Sequence, residues 1–504
     1  MDVLLETQAP WAEFILAGTK TIETRRYPCP DHLIGRKIWL LESPAGTAGT
    51  SAVPNSVDLM ESSDLRVVGF VTVTACVLYS SQEQWDADVA KHCVTPESGY
   101  SWSSDVPVYG WILSDPQAAL PPPITTIARS YRSFFIPVLH VPTVDITDPE
   151  SPDVHAAICA QCKTLGFLRV TWNAFPVDVV RAAHDVTRAF FALDDSTKAA
   201  ATKSATAKTN DSFCSTGFRG NTSAYNTGGR ESWSCVRPDF DPAAPLLSAY
   251  YRNPLHFAVA PDPQVPWPSP ETAPGFRVAV TAYYAAVEAL GRVLLGIFGR
   301  ILELDDPGLL QALSKDHTSS LNLTSLRLRD EATVPEAILP AHADLTSLTV
   351  LSHDESDGAS GTACLQVRNP AYDPLVPHSL QWVALADAPP GAPPSFLVNL
   401  GQIMERWSHG ALKATLHRVM RPLHPSVLRR RQALVFFFVT NYDAVLVPLA
   451  KHKNSTIMYS PETMAAYTAA RLGVFHDPSV SLAEAYAMYN KDVLAPAEYM
   501  ALDK

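Results

Sequence analysis

The sequence lacks an uninterrupted apolar run of the length a bilayer-spanning helix needs. Its start, MDVLLETQAPWAEF, also lacks the basic segment and long apolar stretch of a secretory signal. No membrane partner is therefore expected, and the expected location is intracellular, cytoplasmic or nuclear. Cysteine is sparse. The eight residues, at 29, 76, 93, 159, 162, 214, 235 and 364, form neither a dense disulfide framework nor a repeated zinc-ribbon spacing. The single CxxC, Cys159 and Cys162, falls in an apolar helical pattern and reads as core. An excess of positive charge is missing too. A net charge of −12 excludes broad, nonspecific binding to nucleic acid, which needs clustered Lys and Arg, and leaves room only for a local basic patch. Internal repeats and long low-complexity tracts are absent.

What is present is a chain of 504 residues, nearly half of them hydrophobic, too long for one ordinary core. Proline-rich clusters at 121–124, 261–270 and 389–394 mark loops. Residues 1–135 alternate strand-like runs, KIWLLES, RVVGFVTVTACVLY and YGWIL, with a short amphipathic helix, APWAEFILAG, ending on Gly18. That is a small α+β domain. IPVLHVPTVDI then reads as a strand, and PDVHAAICAQCKTLGF and VDVVRAAHDVTRAFFALDD as helices. Residues 200–235, rich in Ser, Thr, Asn and Gly, read as a long loop, and 276–302 as a helix. Short strands fill 320–440, and the tail from about 460 is helical again. This order suggests a β-sandwich or barrel buttressed by helices.

HADLTSLTVL places His342 and Asp344 two residues apart at the head of a β-branched run. Their equal parity would put both side chains on one face of a strand. Downstream, ATLHRVMRP puts His417 in another strand-like run, and two histidines with one carboxylate form the set that holds non-haem iron(II) with positions left open. In RRRQALVFFFV, Arg431 shares parity with Ala433, Val435 and Phe437, so a guanidinium would stand on the inward face of a strand, where it wants a carboxylate. His353, His378, His409 and His424 read as loop or surface residues.

From about 137 to 475 the chain resembles the isopenicillin-N-synthase-like branch of the iron(II)/2-oxoglutarate oxygenases. The matching segments run in order: HVPTVDI, CKTLGFLRV, RAFFALDDSTKAA, LPAHADLTSLTVL, LQV, QWVAL, FLVNLGQIMERWSHG and LHRVM. The resemblance implies a double-stranded β-helix, or jelly roll, with His342 and Asp344 near the start of one strand and His417 on a later one. It implies iron(II) held by His342, Asp344 and His417, with 2-oxoglutarate and O2 at the open positions, ascorbate as a candidate reductant, and Arg431 on the distal carboxylate of 2-oxoglutarate. Three departures stand out. Ala433 replaces the serine two residues after the family's arginine. No tyrosine precedes the His-x-Asp, where Asn322 or Arg329 are the candidate substitutes. The segment between Asp344 and His417 is long. Phe213, Phe218, Tyr225 and Trp233 are candidates for the substrate-facing set.

PWAEFILAGTKTIETRRYPCP, followed by GRKIWLLES, resembles the ASCH family, a PUA-like β-barrel, over roughly residues 3–135. The matched motif is Gly18, Lys20, Glu23 and Arg25. That family implies RNA or another nucleic acid as partner, or a modified nucleoside as substrate. Lys20, Arg25, Arg26, Arg36 and Lys37 would form a local positive patch, and Lys20, Glu23, Arg25 and Arg26 a nucleic-acid or nucleotide site. The alternative is a structural ion pair between Glu23 and Arg25. Residues 1–140 carry nine Lys and Arg against fifteen Asp and Glu, so binding would be local.

The expected fold is therefore mostly β with helices: an ASCH-like domain (1–135), a helical first part of the oxygenase (136–315), a jelly-roll core (316–445) and a helical tail packing on it (446–504). The expected activity is an iron(II)/2-oxoglutarate-dependent dioxygenase that oxidises a small organic substrate, releasing succinate and CO2. One alternative is an oxygenase acting on RNA or a modified nucleoside recruited by the ASCH-like domain. Another is a catalytically silent binding or regulatory protein.

Overall fold

The computed structural model describes residues 2–46, 50–119, 124–201, 217–220, 229–238, 265, 267–327, 337–354, 364–376, 379–386, 388, 394–423, 430–450, 459–477 and 479–502. The chain forms two compact units, one of residues 1–140, 368–386 and 422–427, the other of 141–367, 387–421 and 428–504.

In the first unit, Leu4–Gln8 runs parallel to Lys37–Ser43, which pairs antiparallel with Arg66–Tyr79. Val108–Ala118 and Ile22–Arg25 extend the sheet. Alternation in Lys37–Ser43 buries Trp39 and Leu41 against Phe70 and Phe135. The helix Trp11–Leu16 stops just short of Gly18, whose φ of +72° is the left-handed conformation that closes a helix at little cost only for glycine. Trp382–Leu385, part of the QWVAL match, pairs in parallel with Phe134–Leu139 in this unit.

The second unit is a double-stranded β-helix flanked by helices. Its larger sheet has the order Gly217–Arg219, Arg230–Val236, Ser320–Arg327, Arg430–Phe438, Leu348–His353, Phe396–Leu400, Phe167–Thr171 and Thr143–Asp145. All neighbours are antiparallel except the last pair. Opposite it, His417–Met420 pairs with both Ala337–His342 and Leu365–Arg368. Leu321, Leu323, Leu434, Phe436 and Phe438 turn outward from the large sheet into a core shared with Val177–Ala192 and Phe276–Ile301. Each such side chain contributes roughly 1.5–3 kcal/mol by leaving water. The alternate residues of the same strands face the interior of the jelly roll.

Two features depart from the sequence reading. The expected loop of residues 200–235 ends instead in the strand Arg230–Val236, bonded along its whole length to Ser320–Arg327. Its alternation is Arg230, Ser232 and Ser234 on one face against Glu231, Trp233 and Cys235 on the other, and a polar inward face is what disguised it. Phe276–Ile301, at 26 residues, is long and apolar enough to cross a membrane, contrary to the expectation that no segment was. Thirteen of its residues are buried within the second unit, among them Val280, Tyr284 and Leu294.

Candidate active site

The floor of the jelly roll is built where the two sheets meet. His342 ends the strand Ala337–His342 and stands opposite His417, the first residue of His417–Met420, with ring centroids 4.4 Å apart. Asp344 lies on no strand, which corrects the parity argument. It sits in the corner that carries the chain across to Leu348–His353, and the corner, rather than a shared strand face, brings it to the histidines. Gly401 allows that corner to pack, because a Cβ there would lie 2.2 Å from the Thr346 carbonyl oxygen.

The ligand atoms of His342, Asp344 and His417 all fall within 4.8 Å of one another. Nε2 of His342 is 3.5 Å and Nε2 of His417 3.8 Å from Asp344 Oδ1. Each imidazole has its other nitrogen occupied: Nδ1 of His342 donates to the Pro340 carbonyl at 2.9 Å, and Nδ1 of His417 to that of Thr415 at 3.1 Å. That leaves both Nε2 lone pairs for a metal. Asp344 Oδ2 accepts from Thr349 Oγ1 at 2.6 Å and from Asn399 Nδ2 at 2.8 Å, so Oδ1 is the oxygen turned to the histidines. Burial alone would raise the Asp344 carboxyl, but His417, His342 and Asn399 outweigh it and hold the group below the usual carboxylate range. Burial, reinforced by His342, pushes His417 down to about 4, against the opposing pull of Asp344. Phe167 closes the side of His417 edge-on at 5.5 Å. Two imidazole nitrogens and an ionised carboxylate suit a divalent first-row metal.

Arg431 lines the same cavity on the large sheet, with Val435 and Phe437 beside it. Its Nη2 lies 2.9 Å from Nε2 of His353. His353 is thus no surface residue. It ends the strand Leu348–His353 across from Ala433, and burial first, then the Arg431 and Arg169 cations, drive it well below its usual value, so its ring is a neutral acceptor. His409 is likewise buried, while His378 and His424 lie outside the described residues. Ala433 faces away from bulk solvent between His353 on one neighbouring strand and Thr324, which donates to the Ala433 carbonyl, on the other. Asn322 also lines the cavity, opposite Val435. Arg329 lies outside the described residues, as do Phe213 and Tyr225. Phe218 and Trp233 pack in the helix-facing core and not in the cavity, because both fall on the outward parity of their strands. The cavity instead receives Arg230, which no motif pointed to. A strand period of two through RESWSCV was the available signal.

In the first unit, Lys20, Glu23, Arg25 and Arg26 line one pocket together with Glu6, Trp11, Tyr27 and Tyr100. They do not form the expected open patch. Lys20 is 2% exposed, lies 3.4 Å from Glu23, donates to the His92 carbonyl and sits over the Trp11 ring. Burial lowers its amine, partly offset by Glu23. Arg25 pairs with Glu23 at 2.9 Å and donates to the Glu6 carbonyl. Arg36 and Lys37 lie outside the pocket lining, Lys37 resting over Trp39.

Comparison with known proteins bears on both units. Residues 141–245 match the model described as non-haem dioxygenase in morphine synthesis N-terminal, residues 325–440 that of the 2OG-Fe(II) oxygenase superfamily, and residues 5–123 the ASCH domain. A homoarginine-6-hydroxylase from Glycine max is 27% identical over 318 residues, covering 61% of this chain and 83% of the relative. A flavonol synthase/flavanone 3-hydroxylase from Arabidopsis thaliana is 26% identical over 284 residues, covering 56% and 71%. Among solved structures, Neurospora crassa T7H in complex with alpha-KG and thymine superposes with a TM-score of 0.51 at 16% identity, covering 66% of this chain and 97% of that one. A 2OG-Fe(II) oxygenase family protein from Caulobacter crescentus gives 0.50 at 20%, covering 66% and 98%. The chain thus carries a 2OG-Fe(II) oxygenase domain, of the enzymes that use iron(II), 2-oxoglutarate and O2, and an ASCH domain toward its N-terminal end.

Proposed function

We propose that this oxygenase oxidises a small organic molecule bound in the jelly-roll cavity, with His342, Asp344 and His417 holding iron(II) and Arg431 holding the distal carboxylate of 2-oxoglutarate. One observation carries the reading: the three ligand atoms converge with their outer atoms already hydrogen-bonded, on the same cavity that Arg431 enters. Bound iron(II) and 2-oxoglutarate together supply the oxidant, one O2 being consumed as 2-oxoglutarate becomes succinate and CO2 and the substrate gains one oxygen atom. The protein does the rest. Thr349 and Asn399 fix the rotation of Asp344, and the Pro340 and Thr415 carbonyls fix the two imidazoles. Neutral His353 orients the Arg431 fork without neutralising its charge, which leaves that charge for a dicarboxylate. Thr324 stands on the strand beside Ala433 and brings a hydroxyl close to where the family's serine is missing. Apolar walls from Leu351, Leu397, Val419 and Val435 keep water from the reacting centre.

Anaerobic addition of iron(II) and 2-oxoglutarate is the direct test. A visible charge-transfer band is expected, lost in His342→Ala and requiring far more 2-oxoglutarate in Arg431→Gln. Absence of the band in the natural protein, together with no succinate released in air, would sink the reading.

A second reading, oxidation of RNA or a modified nucleoside brought by the ASCH domain, is favoured by one observation. The pocket of that domain combines the aromatic side chains of Trp11, Tyr27 and Tyr100 with Arg25 and Arg26, a lining suited to a base and a phosphate. Succinate release stimulated by single-stranded RNA, and losing that stimulation in Arg26→Ala, would select it over the first.

A further inference from the structure

The inward face of the large sheet carries a row that the iron and cosubstrate roles leave unexplained. Arg230 is directly opposite Leu326, and Leu326 directly opposite Arg431. Residues opposed in this way share a face, so the two arginines stand side by side with one strand between them, about 10 Å apart. Both line the cavity above the His342, Asp344 and His417 cluster. Arg230 has no hydrogen bond and no ion pair among the described residues. Burial first, and then the Arg219 and Arg431 cations, push it down to about 10 against an opposing pull from Tyr486, which still leaves it charged at neutral pH. Asp344 is the single carboxylate among the described residues of the cavity wall. Iron(II) and Arg431 together balance Asp344 and doubly charged 2-oxoglutarate, so Arg230 remains one cation in excess. A half-buried, unbalanced guanidinium is costly unless an anion joins it. The wall of the same cavity also carries the apolar side chains of Leu326, Ile338, Leu339 and Leu365.

We infer that Arg230 is a specificity-determining residue that binds a carboxylate on the oxidised substrate, which is an organic acid with an apolar body reaching toward His342 and His417. The inference rests on the proposed placement of iron and 2-oxoglutarate. It requires nothing of Arg431 beyond that placement.

The test is isothermal titration of the full-length protein loaded with Mn(II) and 2-oxoglutarate, using 4-phenylbutyrate, its neutral isostere 4-phenylbutyramide, and phenyl phosphate. The natural protein should bind the acid at least about tenfold more tightly than the amide, a preference of the size a charge-assisted bidentate pair supplies. Arg230→Gln should bring the two within about twofold, and Arg230→Lys should recover part of the preference, since a point charge remains without the fork. In Arg230→Gln, 2-oxoglutarate affinity should move by less than about threefold, against a loss of about thirtyfold or more in Arg431→Gln. Equal binding of acid and amide to the natural protein overturns the inference, as does a preference that survives in Arg230→Gln and Arg230→Lys alike. Tighter binding of phenyl phosphate than of the acid replaces the carboxylate with a phosphoryl group. A loss of 2-oxoglutarate affinity in Arg230→Gln equal to that in Arg431→Gln reassigns Arg230 to the cosubstrate. If the natural protein binds no 2-oxoglutarate, the placement of the cosubstrate fails first, and this outcome is visible before any acid is added.

Discussion

At the scale of single residues, the cavity works by occupying every outer atom so that the inner ones are fixed. Asp344 shows this most directly. Thr349→Val with Asn399→Ala removes both donors to Oδ2 and frees the carboxylate to rotate. The double variant should lose iron(II) affinity by roughly 10- to 100-fold, as partners of metal ligands usually do, measured by competition with a chelator. His184, away from the metal ligands, is one of the residues whose protonation the fold resists. Its Nε2 bonds Ser352 Oγ, its Nδ1 accepts from Gln432, and burial pushes it down to about 4. Because the folded value lies below the ordinary 6.5, the unfolded chain binds the extra proton first. Stability is therefore full above pH 6.5 and falls as pH drops toward 4, by on the order of 2–3 kcal/mol from this group. Urea unfolding of the metal-free protein at pH 7 and 4.5 should show that loss, and a His184→Gln variant with an unchanged pH slope would contradict it.

At the scale of elements, the strand that ends in His342 is held from behind by the C-terminal helices. Asn490 accepts from the Ala343 N–H and donates to the Ala341 carbonyl, and Tyr499 donates to that same carbonyl at 2.6 Å. The helix Leu482–Tyr489, which presents Asn490, begins with a reciprocal cap between Ser481 and Glu484. Removing residues 480–504 should therefore weaken iron(II) binding by about tenfold or more while far-ultraviolet circular dichroism keeps its strand signal; equal metal affinity in the truncated chain would show that the clamp has no such role. Gly166 plays a similar positional part before Phe167. Its φ is +69° and a Cβ would lie 2.1 Å from the Lys413 carbonyl oxygen, so Gly166→Ala should cost about 2 kcal/mol or more in unfolding free energy and displace Phe167 from His417.

At the scale of the whole molecule, the first unit draws on distant sequence: Phe134–Leu139 pairs with Trp382–Leu385. A fragment of residues 1–140 keeps Leu4–Gln8 beside that strand but leaves Val138 and Leu139 without their parallel partner. An exposed apolar edge invites association. The isolated fragment should melt several degrees below the corresponding transition of the full chain, or self-associate, as scanning calorimetry and light scattering would read; an unchanged, monomeric fragment would contradict this.

Much of this protein was legible without coordinates. The helices Pro152–Thr164, Val177–Ala192 and Phe276–Ile301 and the inward parity of Arg431 follow from periods of 3.6 and 2, because burial of one face writes itself into the sequence. His342, Asp344 and His417 stood out not by the His-x-Asp alone but by the later histidine and the ordered segments resembling the oxygenases, and the structure brings their ligand atoms within 4.8 Å of one another. Three things were decided only by the folded chain. Asp344 meets the histidines through a corner between sheets, which no strand periodicity encodes. Lys20, Glu23 and Arg25, which look like a basic surface in the sequence, close on one another as ion pairs, because burial selects for partners that lie nearby in space. Arg230 was hidden in a run of small polar residues. Its meaning comes from register across three strands, and register is a property of tertiary pairing.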